Sequence, residues 1–299
     1  MKHVRQAAVM ASVLFLGFTF IQGYGQTKKP KLYFSVDMEG VGGIVSRAQI
    51  SETQFEYAKG RKLVTDEVNA AIEGCLEAGA GEIVVADSHG NTQNIIPDEL
   101  NESALLIRSF PRALLQMEGI DNTFDGAIFL GYHPMEGTPN ANLSHTITGS
   151  IEELKLNGMP VSEAIFNAAV AGRFNVPLIM IAGDQNVVKE AVQTFGSLET
   201  VQTKESLGWL SAKARNPKMI CRELKEKSRK AVLRIKEFKP YIIHPPIRVE
   251  LSFKNIIDAE AISYLPWVKR TAGKTIAFET PDILDVAHFL TALLSINDR

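Results

Sequence analysis

Cysteine is nearly absent from this sequence. The 299-residue chain has two, Cys75 and Cys221, which excludes a disulfide-built scaffold and a thiolate zinc site. Each falls on the apolar side of an expected helix, so two separate thiols are expected. Basic clusters are equally scarce. Beyond "KKPK" at 28–31 there is no block of Lys and Arg, which argues against nucleic acid as a partner. Internal repeats and low-complexity tracts are missing. What remains, 45% hydrophobic and 22% charged residues, is ordinary globular composition for one large domain or two smaller ones.

Residues 1–25 are expected to be a signal peptide. "MKHVRQ" is a basic start, "AAVMASVLFLGFTFI" an apolar run too short for a typical membrane span, and Gly23 and Gly25 supply the small residues of a cleavage site. No Cys follows that run before Cys75, against a lipid-anchored form. Cleavage would remove Lys2 and Arg5, taking Lys+Arg from 32 to 30 against 34 Asp+Glu, a net charge of −4. A periplasmic or secreted protein with no stable membrane association follows from that reading.

The expected fold is α/β: a mostly parallel sheet with helices on both faces, plus a smaller C-terminal α+β unit. Apolar runs at 31–37, 82–88, 104–109, 125–133 and 176–184 read as strands, and continuous apolar strands alternating with helices indicate a sheet covered on both faces. Helices are expected from a Ser51 cap through about Ala78, over 161–174, after an Asp184 cap, and over 216–238. "HTITGSIEELKLNG" (145–158) reads as a hairpin. The expected division is a catalytic α/β domain at 26–205, then a helical connection and a smaller α+β unit at 206–299, with "PYIIHPPI" (240–247) as a crossing segment.

Histidine is scarce too, with six in the chain, and its placement carries information. "SVDMEGVGG" ends the first strand in Asp37 and Glu39, two like charges that need a positive partner. "DSHG" brings Asp87 and His89 to the second strand end, "GYHP" brings His133 to a third, and Asp184 ends a fourth. In open α/β sheets ligands bind outside the carboxyl ends of the strands. Carboxylates with imidazoles suit zinc, manganese or iron, so the positive partner is expected to be metal. Asp87 is either an orienting group for His89 or a strand-end turn cap. Glu163, in the first turn of a helix, reads on its own as a capping acid. His244 and His288 keep a structural reading.

The motifs "SVDMEG", "DSHG", "FLGYH", "LSHT" and "SEAIFNAAVAG" resemble, in order and spacing, the zinc-dependent D-aminopeptidases. The similarity runs from about Lys31 to the C-terminus and is clearest over 31–184. It implies a two-zinc site in which Asp37 resembles the bridging carboxylate, Glu39 and His89 ligands of one metal, and His133 and Glu163 ligands of the other. His145 resembles a catalytic histidine beside the metals, acting as nucleophile, acid or electrostatic stabiliser. Ser162, where the family often has Gly, and the acidic "SIEELKL" depart from the pattern and bear on substrate preference. Charge supports two metals: Asp37, Glu39 and Glu163 carry −3, two divalent ions +4, and a bridging hydroxide closes the sum to zero.

The resemblance implies an aminopeptidase that uses a two-zinc activated water on short, D-residue-containing peptides, and a homo-oligomer. Two other classes compete: a two-metal phosphoesterase, which wants basic groups that only Arg108 and Arg112 offer here, and a periplasmic solute-binding protein, which needs no metal.

Overall fold

A computed structural model describes residues 28–297; the expected signal peptide lies outside the described residues. Strand β1 (Lys31–Val36) leads through helix α1 (Tyr57–Glu77) to β2 (Glu82–Asp87), then β3 (Ala104–Ile107) and β4 (Gly126–Tyr132). A hairpin of β5 (Ile151–Leu156) and β6 (Met159–Pro160) precedes α2 (Glu163–Arg173), β7 (Leu178–Asp184), α3 (Gln185–Phe195), β8 (Glu199–Gly208), β9 (Ser211–Ala214) and α4 (Pro217–Leu233). The chain closes with β10 (Ile247–Phe253), α5 (Ile256–Ile262), β11 (Lys269–Ala272), β12 (Thr275–Thr280) and α6 (Ile283–Asn297).

The first sheet has the order β3-β2-β1-β4-β7-β8-β9 and is parallel except for β9 at the edge. Alternation along β1 divides the core. Leu32, Phe34 and Val36 face α1 and α4, with Val64, Val68, Ile72, Ile220 and Leu224. Tyr33 faces the opposite layer, with Phe166 of α2, Val187 of α3 and Leu290 of α6. Each large apolar side chain buried this way contributes about 1.5–3 kcal/mol. Sequential strands run outward from β1 on one side and from β4 on the other, so the crevice where order reverses lies between the carboxyl ends of β1 and β4.

The second sheet, order β11-β12-β10-β5-β6, is antiparallel throughout. It draws its strands from 151–160 as well as from the last third of the chain, because β10 pairs with both β5 and β12. Asn157 and Gly158 have φ of 51° and 79°, the two positive values that a type I′ hairpin turn requires. The hairpin is therefore shorter than "HTITGSIEELKLNG" suggests and begins at Ile151.

Other local expectations are corrected as well. Ser51 does not cap α1, which starts at Tyr57 with no side-chain cap. The capping chemistry is upstream: Ser46 Oγ accepts from the Ala48 N–H and Gln49 Oε1 accepts from the Ser46 N–H, closing a 3-10 turn at Arg47–Gln49. Strands β8 and β9 are not apparent as apolar runs. The buried positions of β8 include Thr203, Lys204 and Ser206, so tertiary hydrogen bonding rather than hydrophobicity holds that strand inside. Asp184 does cap α3, and Asn216 with Pro217 starts α4. Cys75 and Cys221 are separate thiols, the first buried.

Glu67 of α1 is buried beneath the loop that follows β1. Its Oε1 accepts from the Gly42 N–H at 2.7 Å, while Oε2 has no partner. Burial pushes its carboxyl up to about 7, against the Gly42 hydrogen bond and the Lys204 charge. Below about pH 4.5 the group is protonated in both folded and unfolded chains. Between 4.5 and 7 only the folded chain keeps the proton, so stability falls as pH rises through that window, and the loss is complete above it. Unfolding in denaturant at pH 4.5 and pH 8 should show wild type losing on the order of 2–3 kcal/mol more than Glu67→Gln; parallel pH profiles would contradict this.

Candidate metal centre

The ends of β1 and β4 are locked together by two glycines. Gly40 donates its N–H to the Gly131 carbonyl at 2.7 Å, and a Cβ on Gly40 would lie 2.0 Å from the Tyr132 carbonyl oxygen. Gly131 has φ of 70°, and a Cβ there would lie 2.0 Å from the Asp37 carbonyl oxygen. Only residues without side chains allow this approach. It sets Asp37 and Glu39 against His133. Although β1 ends at Val36 and the chain then turns, both carboxylates still reach one imidazole.

That imidazole is His89. Its Nδ1 lies 3.1 Å from Asp37 Oδ1 and 3.0 Å from Glu39 Oε2. Its Nε2 lies 2.9 Å from the Ile50 carbonyl, which can only accept, so Nε2 carries the proton and Nδ1 is the free nitrogen. His133 is arranged the same way with its nitrogens exchanged. Nδ1 donates to the Pro134 carbonyl at 3.0 Å, and Nε2 lies 3.5 Å from Asp37 Oδ2 and 3.3 Å from Glu163 Oε1. This Nε2 is buried without a hydrogen-bond partner. The two oxygens of Asp37 thus face different imidazoles.

Glu163 arrives from the start of α2. The cap there is Ser162, whose Oγ accepts from the Ile165 N–H and donates to Glu190, which leaves the Glu163 carboxylate for the site. Its Oε1 accepts from the Ile147 N–H at 2.7 Å and its Oε2 from Gln116 at 2.5 Å. Ile147 has φ of 63°, and the Thr148 N–H bonds the Thr146 carbonyl at 2.7 Å, a γ-turn of the rarer hand. For a β-branched residue that conformation is strained, and it turns the Ile147 N–H onto Glu163. His145 stacks on His133 with ring centroids 4.0 Å apart. Its Nδ1 donates to the Leu143 carbonyl at 3.0 Å, leaving Nε2 3.5 Å from Glu163 Oε1.

Three buried carboxylates with two imidazole lone pairs aimed among them fit a cation. Asp37, Glu39 and His133 offer ligand atoms within 4.8 Å of one another, and so do His133, His145 and Glu163. Burial opposes ionisation of Asp37, but the imidazoles of His133 and His89 beside it outweigh that and hold the carboxyl well below its usual range. Burial also opposes protonation of the imidazoles, yet Glu39 and Asp37 raise His89, and Glu163 and Asp37 raise His133, well above the usual value. The field that attracts a second proton to each ring is the field that attracts a metal ion.

A family model for D-aminopeptidase matches residues 31–292. The chain belongs to the D-aminopeptidase family. It is 34% identical over 272 residues to the D-aminopeptidase of Bacillus subtilis (strain 168), covering 90% of this chain and 98% of that one. It also matches the solved structure of the Zn-dependent D-aminopeptidase DppA from Bacillus subtilis, a self-compartmentalizing protease. There the TM-score is 0.86 with 31% identity, over 90% of this chain and 98% of that one. Family membership makes the chain a peptide hydrolase and removes the solute-binding alternative.

Several residues of the site were invisible in the sequence. Gln116, in a 3-10 turn at Leu115–Met117, links Glu163 to Asn167, and Asn167 donates to the Tyr132 hydroxyl at 2.8 Å. Lys204 is fully buried and donates to the carbonyls of Glu39 and Ile44, fixing the loop after β1 from below. Burial depresses its ammonium to about 8 against the charges of Asp184, Glu39 and Glu67. Asp87 proves to be the turn cap: its carboxylate accepts from the Asn94 and Ile95 N–H groups and the Asn94 side chain, ordering the loop that carries His89. Asp184 is occupied by its helix and by Ser206 rather than joining the site. Exposed His244 and His288 stand outside the cluster.

Gly40→Ala tests the interlock. The added methyl forces β1 and β4 apart where Asp37 meets His133, and the expected cost is about 1–3 kcal/mol in urea unfolding. Wild-type stability would mean that the two strand ends separate without penalty.

Proposed function

We propose that this chain is a two-zinc aminopeptidase that removes the N-terminal residue, of D configuration, from short peptides. The observation that carries the metal reading is the paired lone pairs of His89 Nδ1 and His133 Nε2, each aimed at buried carboxylates, with Asp37 presenting one oxygen to each ring. Glu39 and His89 would hold one ion, His133 and Glu163 the other, and Asp37 both. Zinc bound there supplies Lewis acidity and lowers the pKa of water towards neutrality.

The chain's own groups do the rest. A cleft of about 600 Å³ opens onto Asp37, His89, His145 and Glu163, with Phe110, Leu115 and Leu294 as an apolar wall. Only Nε2 of His145 is free, and the ring is partly exposed at the cleft. It is placed to take a proton and return it to the leaving amine, work worth roughly 10²–10⁴-fold in rate. The Ile147 N–H and Gln116 fix the orientation of the Glu163 carboxylate. The phosphoesterase alternative is disfavoured because no Lys or Arg lines this cleft. Arg112 spends its guanidinium on the carbonyls of Ser109, Asp87 and Ile107.

The D configuration and zinc rest on the family and on the Bacillus subtilis relative. Self-association is supported by that relative's self-compartmentalizing description and by the exposure of Ile257, Tyr264 and Trp267 on and after α5. No described helix is long and apolar enough to cross a membrane; export rests on the N-terminal segment alone.

Elemental analysis of zinc-reconstituted protein should find about two zinc ions per chain, and a panel of D and L dipeptides should show cleavage of the D series. Asp37→Ala is expected to lose both ions and Glu39→Ala mainly one; equal losses would remove the bridging role. Protein that takes up no zinc would overturn the metal reading.

His145→Ala is expected to keep its zinc and its melting temperature while losing at least about a hundredfold in kcat. Loss of zinc instead would make His145 a ligand beside His133 and Glu163, which their mutual spacing allows.

A further inference from the structure

A second, smaller cavity of about 210 Å³ reaches the site from the other side of His145. His145 lines both spaces. The large cleft touches Asp37, His89 and Glu163, and the small one touches Glu39. The two differ in charge. The large cleft carries Glu52 at its edge and no basic group. The small cavity carries Arg47 and Lys254 together with Glu39 and Glu136. Lys254 is already paired with Glu136 at 3.1 Å, whereas Arg47 makes no ion pair among the described residues.

Arg47 is nevertheless held in place. It begins the 3-10 turn that Ser46 and Gln49 cap, and its guanidinium lies over the Trp209 ring at 5.1 Å from the centroid. Trp209 is pinned in turn. Its indole N–H donates to the Ser144 carbonyl at 3.1 Å, next to His145, and its own carbonyl accepts from the Leu143 N–H and the Asn142 side chain, each at 2.9 Å. Stacking on an aromatic face fixes a guanidinium while leaving the N–H groups on its edge free. Such a fork matches a carboxylate.

We propose that this small cavity is the receptor for the C-terminal carboxylate of the substrate, with Arg47 as its ligand, so that the enzyme is selective for very short peptides with a free C-terminus. The inference rests on the aminopeptidase reading. At about 210 Å³ against about 600 Å³ for the large cleft, the cavity suits one small residue and its carboxylate. A zwitterionic dipeptide lying across His145 would then match the charges at both ends, its ammonium towards Glu52 and its carboxylate towards Arg47.

The test compares D-alanyl-D-alanine with its C-terminal amide on the zinc-loaded protein, in wild type, Arg47→Met and Arg47→Lys. Wild type should prefer the acid. Arg47→Met should lower the acid-to-amide ratio of kcat/KM by about ten- to a hundredfold, mainly through KM for the acid, as expected for a lost hydrogen-bonded charge. Arg47→Lys should retain part of the preference. The ratio is internal to each preparation, so partial unfolding does not imitate the effect. An unchanged ratio in Arg47→Met, or equal use of acid and amide by wild type, overturns the subsite and leaves the aminopeptidase reading standing. Cleavage of neither compound by wild type overturns that reading and the subsite with it.

Discussion

Three carboxylates of one sign are buried around two imidazoles: Glu39 meets His89, Glu163 meets His133, and Asp37 meets both. The rest of the structure depends on that constraint. At an effective dielectric of about 20, two like charges 4 Å apart repel by about 4 kcal/mol, and desolvation adds to the cost. A fold tolerates such a cluster only if its backbone gives the side chains no retreat and a cation completes the balance. The glycine interlock of Gly40 and Gly131 supplies the first condition by fixing two strand ends to each other through main-chain contacts.

The polar groups beneath the site divide into two supports with different tasks. Below the loop after β1, Lys204 holds the Glu39 and Ile44 carbonyls, Thr203 holds the Gly40 carbonyl at 2.5 Å, and Glu67 holds the Gly42 N–H. These bonds act on the main chain and locate Glu39. Below α2, the run Glu163–Gln116–Asn167–Tyr132–Ser35 acts on side chains and orients Glu163. The strained turn at Ile147 adds a donor from the opposite side. That strain costs on the order of 1–3 kcal/mol. It persists because His145, two residues away, is tied to the Leu143 carbonyl, while Leu143 and Asn142 are tied to Trp209.

This division explains which parts were legible in the sequence. Asp37, Glu39, His89 and His133 stand at or just beyond the ends of apolar strands, where a continuous apolar run stops at polar residues, and the parallel topology brings such ends together. The resemblance added Glu163 and His145, which local pattern alone left as a capping acid and the first residue of an expected hairpin. Gln116 and Lys204 gave no signal. One sits in an irregular turn, and the other lies in β8, where Val201 is the one apolar buried position; its own partners are backbone carbonyls distant in sequence. Ser51 failed as a cap for a related reason: several polar residues precede α1, and only tertiary contacts decide which of them meets a free N–H. The hairpin was recognised from Asn157 and Gly158, but its partner strand β10 lies some ninety residues later, and no local pattern announces that pairing.

The second sheet is more than an appendage to this arrangement. Pairing of β10 with β5 brings the last third of the chain back to the segment that carries His145, and α6 then places Leu294 in the wall of the main cleft. Lys254, just past β10, reaches Glu136 in the loop between His133 and His145. The β8–β9 turn closes the same loop from the far edge of the first sheet through Trp209. Asp37, Glu39, His89 and His133 are therefore set by strand ends of the parallel sheet and Glu163 by α2, whereas part of each cavity wall comes from segments distant in sequence, Leu294 in the large one and Trp209 and Lys254 in the small one. Variation in those outer segments can reshape both cavities without touching the buried carboxylates and imidazoles. Ser162 caps α2 beside Glu163, and the acidic β5 strand is held by its pairing with β10, so both act on backbone placement.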